Sequence, residues 1–234
     1  MKKLTFFLFF TFILNFTFAT GSKSSVQPSM PDNAFVTELY TNNPNNIVLG
    51  NPNGSITVVE IYDYNCMYCK LLAGELDKLI IQDKNIRLVR VPVGILADSS
   101  TPAAKYAIAA QMQGKFNKVD YALMRAKNLD MANLDNLAKQ SGLDMVKLQA
   151  DLNSIKLADK LIMNDRIVGF SFLMTDDTGL PMTVVAKTTA PHTNVLIGGN
   201  NIDKIKNAIT SFSSGDKLSQ YYPKTHKGYS CSGE

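Results

Sequence analysis

The stretch "EIYDYNCMYCKLLAGELDKLI" at residues 60–80 decides the fold. It continues a run, "SITVVEIYDY" at 55–64, that is rich in β-branched and aromatic residues and follows a Gly/Pro/Asn turn at 51–55. Such a run predicts a buried strand. Beyond Cys66 the period changes: Leu72, Leu76, Leu79 and Ile80 recur at the spacing of one helix face. The two cysteines therefore sit where a strand turns into a helix. A cysteine at a helix start meets unpaired backbone N–H groups and the positive end of the helix dipole. Both favour the thiolate, the form that attacks disulfides and binds metals. The N-terminal member gains most and is expected to be the more exposed, which makes Cys66 the candidate nucleophile and Cys69 the resolving thiol.

A CxxC pair alone leaves several chemistries open. A structural zinc site takes four ligands, usually as two pairs; here one pair is accompanied only by His192, His226 and the remote Cys231. Covalent haem needs a His after the second cysteine, where this chain has Lys70. A purely structural disulfide closing so short a loop constrains the unfolded chain little. Reversible thiol chemistry is the reading that the helix-start position favours.

Working outward, "NIRLVRVPVGIL" at 85–96 predicts a second strand, with Pro92 near its end or on an edge. Residues 101–166 lack strand signals. Apolar faces recur there around "AAKYAIAAQM", Phe116–Met124, Leu134–Ala138, Met145–Leu152 and Ile155–Ile162. "PMTVVA" at 181–186 and "TNVLIGG" at 193–199 predict a hairpin whose loop contains Pro191. An amphipathic helix follows at 200–212, with Asn200 or Asn201 as its cap. The expected organisation is a flexible leader at 21–50, with a short helix at 32–40 capped by Asp32. A first α/β part at 51–100, an all-helical insertion at 101–166, a second α/β part at 167–212 and a polar tail at 213–234 complete it.

"GNPNGSITVVEIYDYNCMYCK" resembles the opening of a DsbA-like thiol:disulfide oxidoreductase of the thioredoxin-fold superfamily. The helical block and "TGLPMTVVA" extend the resemblance over roughly residues 47–212. It implies a thioredoxin fold, a central mixed sheet with flanking helices, interrupted by an inserted all-helical domain. It also implies a cis-proline facing the cysteines, at Pro181 with Leu180 before it, and a buried acid that tunes the pair and shuttles protons, at Glu60. No cofactor or metal is implied. The partners implied are cysteine-containing envelope or secreted proteins and a membrane redox partner. Isomerase-like members add a homodimer made through an N-terminal segment, for which residues 21–46 are the candidate here. Strongly oxidising members carry Pro-His between the cysteines, whereas this chain carries Met67 and Tyr68. The missing His removes one source of thiolate stabilisation, and Tyr68 resembles the isomerase-leaning members. Oxidase, isomerase or reductase roles stay open, as does a non-catalytic thioredoxin-fold chaperone with an apolar groove around Leu180 and Tyr68.

The first twenty residues, with Lys2 and Lys3, an apolar run to about Phe18 and the small residues Ala19, Thr20 and Gly21, predict a signal peptide cleaved near 19–21. Export places the chain in the periplasm or cell envelope, where disulfides form and persist. The 234-residue chain has 24 Lys and Arg against 20 Asp and Glu, and without that segment, which carries Lys2 and Lys3, the basic count falls to 22. So even a balance gives no electrostatic footprint for nucleic acid. His192, in the predicted loop, and His226 and Cys231, in the tail, are expected to have no catalytic part.

Overall fold

The computed structural model describes residue 43, residues 46–174 and residues 179–215. The signal segment, the leader helix at 32–40, nearly all of the candidate dimerisation segment at 21–46, and the tail with His226 and Cys231 lie outside the described residues.

Five strands form one mixed sheet in the order β1-β3-β2-β4-β5. They are β1 (Ile47–Gly50), β2 (Ile56–Tyr62), β3 (Ile86–Pro92), β4 (Met182–Lys187) and β5 (Ala190–Gly198). β2 runs parallel to β3 and antiparallel to β4, and every residue of β2 and β3 is buried. Burial on both faces explains their nearly unbroken apolar composition. Ahead of β2, Gly54 crosses the backbone of residues 85–87 so closely that a Cβ there would lie 2.5 Å from the Asn85 carbonyl oxygen. Only glycine fits that crossing.

Helices cover both faces. α1 (Met67–Gln82) and α7 (Ile202–Ser214) pack on one face around Val58, Leu72, Leu76, Leu88, Val185 and Phe212. The helical block packs on the other. It comprises α2 (Ser100–Met112), α3 (Phe116–Arg125), α4 (Met131–Gln140), α5 (Met145–Leu152) and α6 (Ile155–Met174). α2 contacts each of the other four. Its small residues Ala103, Ala104, Ala107, Ala109 and Ala110 are all buried, which lets neighbouring helices approach closely. Asp130, Asp144 and Asn201 cap α4, α5 and α7 with their side chains, accepting from first-turn N–H groups. Among the described residues, no helix is long and apolar enough to cross a membrane.

The predicted thioredoxin fold with a helical insertion is the observed one. The chain before the turn adds the edge strand β1, and α6 runs on through residue 166 to Met174. The hairpin departs from expectation. Pro191 and the backbone of His192 belong to β5 rather than to a loop. β5 is an edge strand, where a missing N–H can face outward without loss of a ladder bond. Its register jumps from Ala186↔Asn194 to Lys187↔Ala190, leaving residues 191–193 as a bulge that the Asn194 amide closes onto the Pro191 carbonyl at 3.0 Å.

Candidate active site

The end of β2 delivers "YDYNC" to the top of the sheet, and the buried Asp63 organises it. One oxygen of its carboxylate accepts from the Asn65 N–H (2.8 Å) and the Ser100 hydroxyl (2.7 Å), the other from the N–H groups of Ile95 (3.0 Å) and Leu96 (3.1 Å). Its backbone carbonyl accepts from the Cys66 N–H at 3.0 Å. Asp63 thus ties the loop after β3 to the turn that presents Cys66.

Cys66 is the N-cap of α1, and its sulfur accepts from the Cys69 N–H at 3.2 Å. Both cysteines are free thiols. Hydrogen bonding from the Cys69 thiol, aided by the backbone N–H groups of Cys69 and Tyr68, draws the Cys66 thiol down from 9.0 to about 7, against burial and the charge of Asp63. Cys69 moves the opposite way: burial first, then its bond to Cys66, pushes it far above the ordinary thiol value. Hydrogen bonding and burial thus shift the two thiols in opposite directions. Cys66 is the more exposed of the two, but only at 7%, against 0% for Cys69. The sulfur sits at a rim rather than standing open.

The Leu180–Pro181 bond is cis, as the resemblance implied, and the protonated Cys66 thiol donates to the Leu180 carbonyl at 3.4 Å. The expected apolar groove around Leu180 needs correction. Leu180 is 8% exposed and belongs to the core; the exposed apolar atoms near the cysteines are those of Met67 (69%), Tyr68 (63%) and Leu71.

Glu60 is inward-facing and fully buried. Burial lifts its carboxyl from 4.5 to about 7; Arg90 opposes this, while Asp120, Asp77 and Cys66 add to it. Its charge in turn raises Cys69. Glu60 and Arg90 are register partners on β2 and β3, with Arg90 Nε 3.1 Å from Glu60 Oε2. That contact is an ion pair whose angles are not those of a hydrogen bond. Arg90 also reaches Asp77 Oδ1 (2.8 Å) and Asp120 Oδ2 (3.6 Å), and lies over the Tyr62 ring at 5.4 Å. Burial disfavours its charge, but the carboxylates around it hold it firmly protonated.

Asp63, Arg90, Asp77 and Asp120 were not singled out from the sequence. Arg90 left a signal: a charge in the middle of "IRLVRVP", a run that reads as a buried strand, must find partners. Asp120 left a fainter one, as an acid next to Val119 on an apolar helix face. Among the described residues, no group of three or more His, Cys, Asp or Glu is placed to hold a metal ion.

A family model described as thioredoxin matches residues 42–167. The structure is similar to that of a thioredoxin-like oxidoreductase from Silicibacter pomeroyi DSS-3, at 30% identity and a TM-score of 0.67, over 76% of this chain and 97% of that one. It is also similar to the catalytic domain of Proteus mirabilis ScsC, at 20% identity and 0.63, over 77% and 97%. The thiol-disulfide exchange protein alpha-DsbA2 from Wolbachia pipientis matches at 19% and 0.65, over 76% and 93%. The latter two likenesses concern the fold. No curated protein matches the sequence.

Proposed function

The chain belongs to the thioredoxin family, and on that premise we propose that it is an exported dithiol–disulfide oxidoreductase that forms disulfides in envelope or secreted proteins. The observation that carries this is the geometry of the two thiols: Cys66 caps the mouth of α1 and faces the carbonyl before cis Pro181, while Cys69 lies fully buried behind it.

In the oxidised enzyme a substrate thiolate attacks the Cys66 sulfur, the Cys66–Cys69 bond breaks, and Cys69 leaves with the electron pair. Cys69 then takes a proton, for which the protonated Glu60 is the nearby buried source. A second substrate thiolate attacks the substrate sulfur of the mixed disulfide and expels Cys66 as thiolate. A thiol of low pKa leaves fast, and a stabilised thiolate makes the disulfide a stronger oxidant. Two electrons have passed from substrate to enzyme. Reoxidation is assigned to a membrane redox partner, and export to the first twenty residues. The Leu180 carbonyl, next to cis Pro181, is the backbone group positioned to meet an incoming peptide once Cys66 releases it.

A disulfide isomerase is the second reading. It is favoured by Tyr68 and by the absence of a His between the cysteines, so that hydrogen bonds alone hold the Cys66 thiolate.

Oxidative refolding tests the assignment. A reduced, denatured protein with several cysteines is expected to regain its disulfides with the oxidised enzyme and not with Cys66→Ala. Equal protection against aggregation by both, without disulfide gain, favours the chaperone alternative. Faster repair of scrambled disulfides than of reduced substrate favours the isomerase.

A further inference from the structure

Three carboxylates converge on one buried guanidinium. Glu60, Asp77 and Asp120 approach Arg90 at 3.1, 2.8 and 3.6 Å through Nε, Nη2 and Nη1. One cation in a low-dielectric interior does not balance three anions, so the least supported acid keeps a proton. Asp77 is half exposed and has solvent. Asp120 accepts from the hydroxyls of Tyr62 (2.8 Å) and Tyr64 (2.6 Å). Glu60 has neither: its carboxylate is fully buried, with no hydrogen bond to either oxygen. The other titratable groups coupled to it are Cys66, the N-cap of α1, whose charge raises its value, and Cys69 in the first turn of α1, whose own value its charge raises, while β4 places Thr183 opposite it.

We propose that Asp120, carried by the helical insertion, is a positioning residue for the redox centre: by competing with Glu60 for Arg90, it decides whether the glutamate holds a proton beside Cys69 when the disulfide is reduced. The inference deepens the dithiol reading and rests on it. It gives the insertion a part in the chemistry besides packing. With Asp120 neutralised, Arg90 pairs fully with Glu60, the glutamate ionises at lower pH, and the buried proton source is lost at neutrality. Asp120 also borders a cavity of about 140 Å³ between α1 and α3, which Asp77, Lys70 and Arg125 help to line. That space accommodates one extra methylene at position 120.

The test titrates Glu60 directly. In the oxidised protein, where the cysteines do not ionise, the infrared band of the protonated carboxyl is assigned by its loss in Glu60→Gln and followed from about pH 5 to 9. Its midpoint is expected somewhat below the value of about 7 of the dithiol form, to which the Cys66 charge adds, and in Asp120→Asn about one pH unit lower still. In Asp120→Glu, which keeps the charge, it is expected near the wild-type value. If Asp120→Asn does not fold, Asp120→Ser removes the same charge beside the existing cavity and reads the same shift. The bend in the reduction potential against glutathione, measured over the same range, is expected to move with the band. An unmoved midpoint in Asp120→Asn, or a shift in Asp120→Glu as large as in Asp120→Asn, overturns the inference. A protein that exchanges no electrons with glutathione instead overturns the dithiol reading, and the infrared titration still decides the role of Asp120.

Discussion

Cys69→Ala is expected to turn the protein into a trap that accumulates as mixed disulfides through Cys66. In the wild type, a mixed disulfide can be resolved internally by a thiol that the fold holds beside it. Well-oriented intramolecular groups act at effective concentrations on the order of 10⁵ M or more. Losing that group is expected to lengthen the life of the mixed disulfide by at least about 10³-fold, leaving it to external thiols. A cost accompanies the gain: the Cys69 thiol is the largest cause of the lowered Cys66 value, so attack by the variant is slower near neutral pH. Non-reducing electrophoresis of envelope extracts, with mass spectrometry of the bands, reads the result. Trapping is expected in Cys69→Ala and not in Cys66→Ala, and the reverse pattern assigns attack to Cys69.

Replacing Arg90 by methionine is expected to be the most destabilising single change at the site. Methionine fills much of the volume but leaves Glu60 and Asp120 buried without their cation. Removing one partner of a buried charge cluster costs about 3–5 kcal/mol. The pH dependence separates this from a packing defect. The folded-state value of Glu60, about 7, lies above 4.5. The stability from its proton is therefore fully present below about 4.5 and is lost as pH rises through 7. Without Arg90 the carboxyl rises further, so ionising it costs more. The loss in Arg90→Met is thus expected to be smaller at pH 5, where Glu60 is already neutral, and full at pH 8. Urea denaturation at both pH values, with Glu60→Gln/Arg90→Met as the control that removes the slope, checks it. A loss of equal size at both pH values points to packing alone.

Much of this site was legible in the sequence because its parts are local. The change of period at Cys66 marks a strand-to-helix junction from adjacent residues, and the helix start implies the inequality of the two thiols. Glu60 came from the resemblance, as an acid six residues before Cys66 on the predicted strand. What stayed hidden depends on register and on packing between distant segments. Arg90 becomes the partner of Glu60 only when β2 and β3 align in parallel, and Asp120 only when α3 of the insertion folds over α1. Asp63 is an ordinary turn residue until the loop after β3 brings two N–H groups and the Ser100 hydroxyl to it. Pro191 was misread because proline is disfavoured in a central strand and common in loops; the edge position that tolerates it is a property of the whole sheet. Leu180 was misplaced for a similar reason, since the turn at cis Pro181 aims its carbonyl at Cys66 and its side chain into the core.

The central claim is that Cys66, and not Cys69, is the reactive sulfur at neutral pH. Alkylation of the fully reduced protein with iodoacetamide across pH 5–9, with the site of labelling identified by mass spectrometry, tests it most directly. The predicted result is a rate that rises with a midpoint near pH 7, with label on Cys66 and none on Cys69. A midpoint at the value of an ordinary thiol, about 8.5–9, or label appearing first on Cys69, contradicts the account.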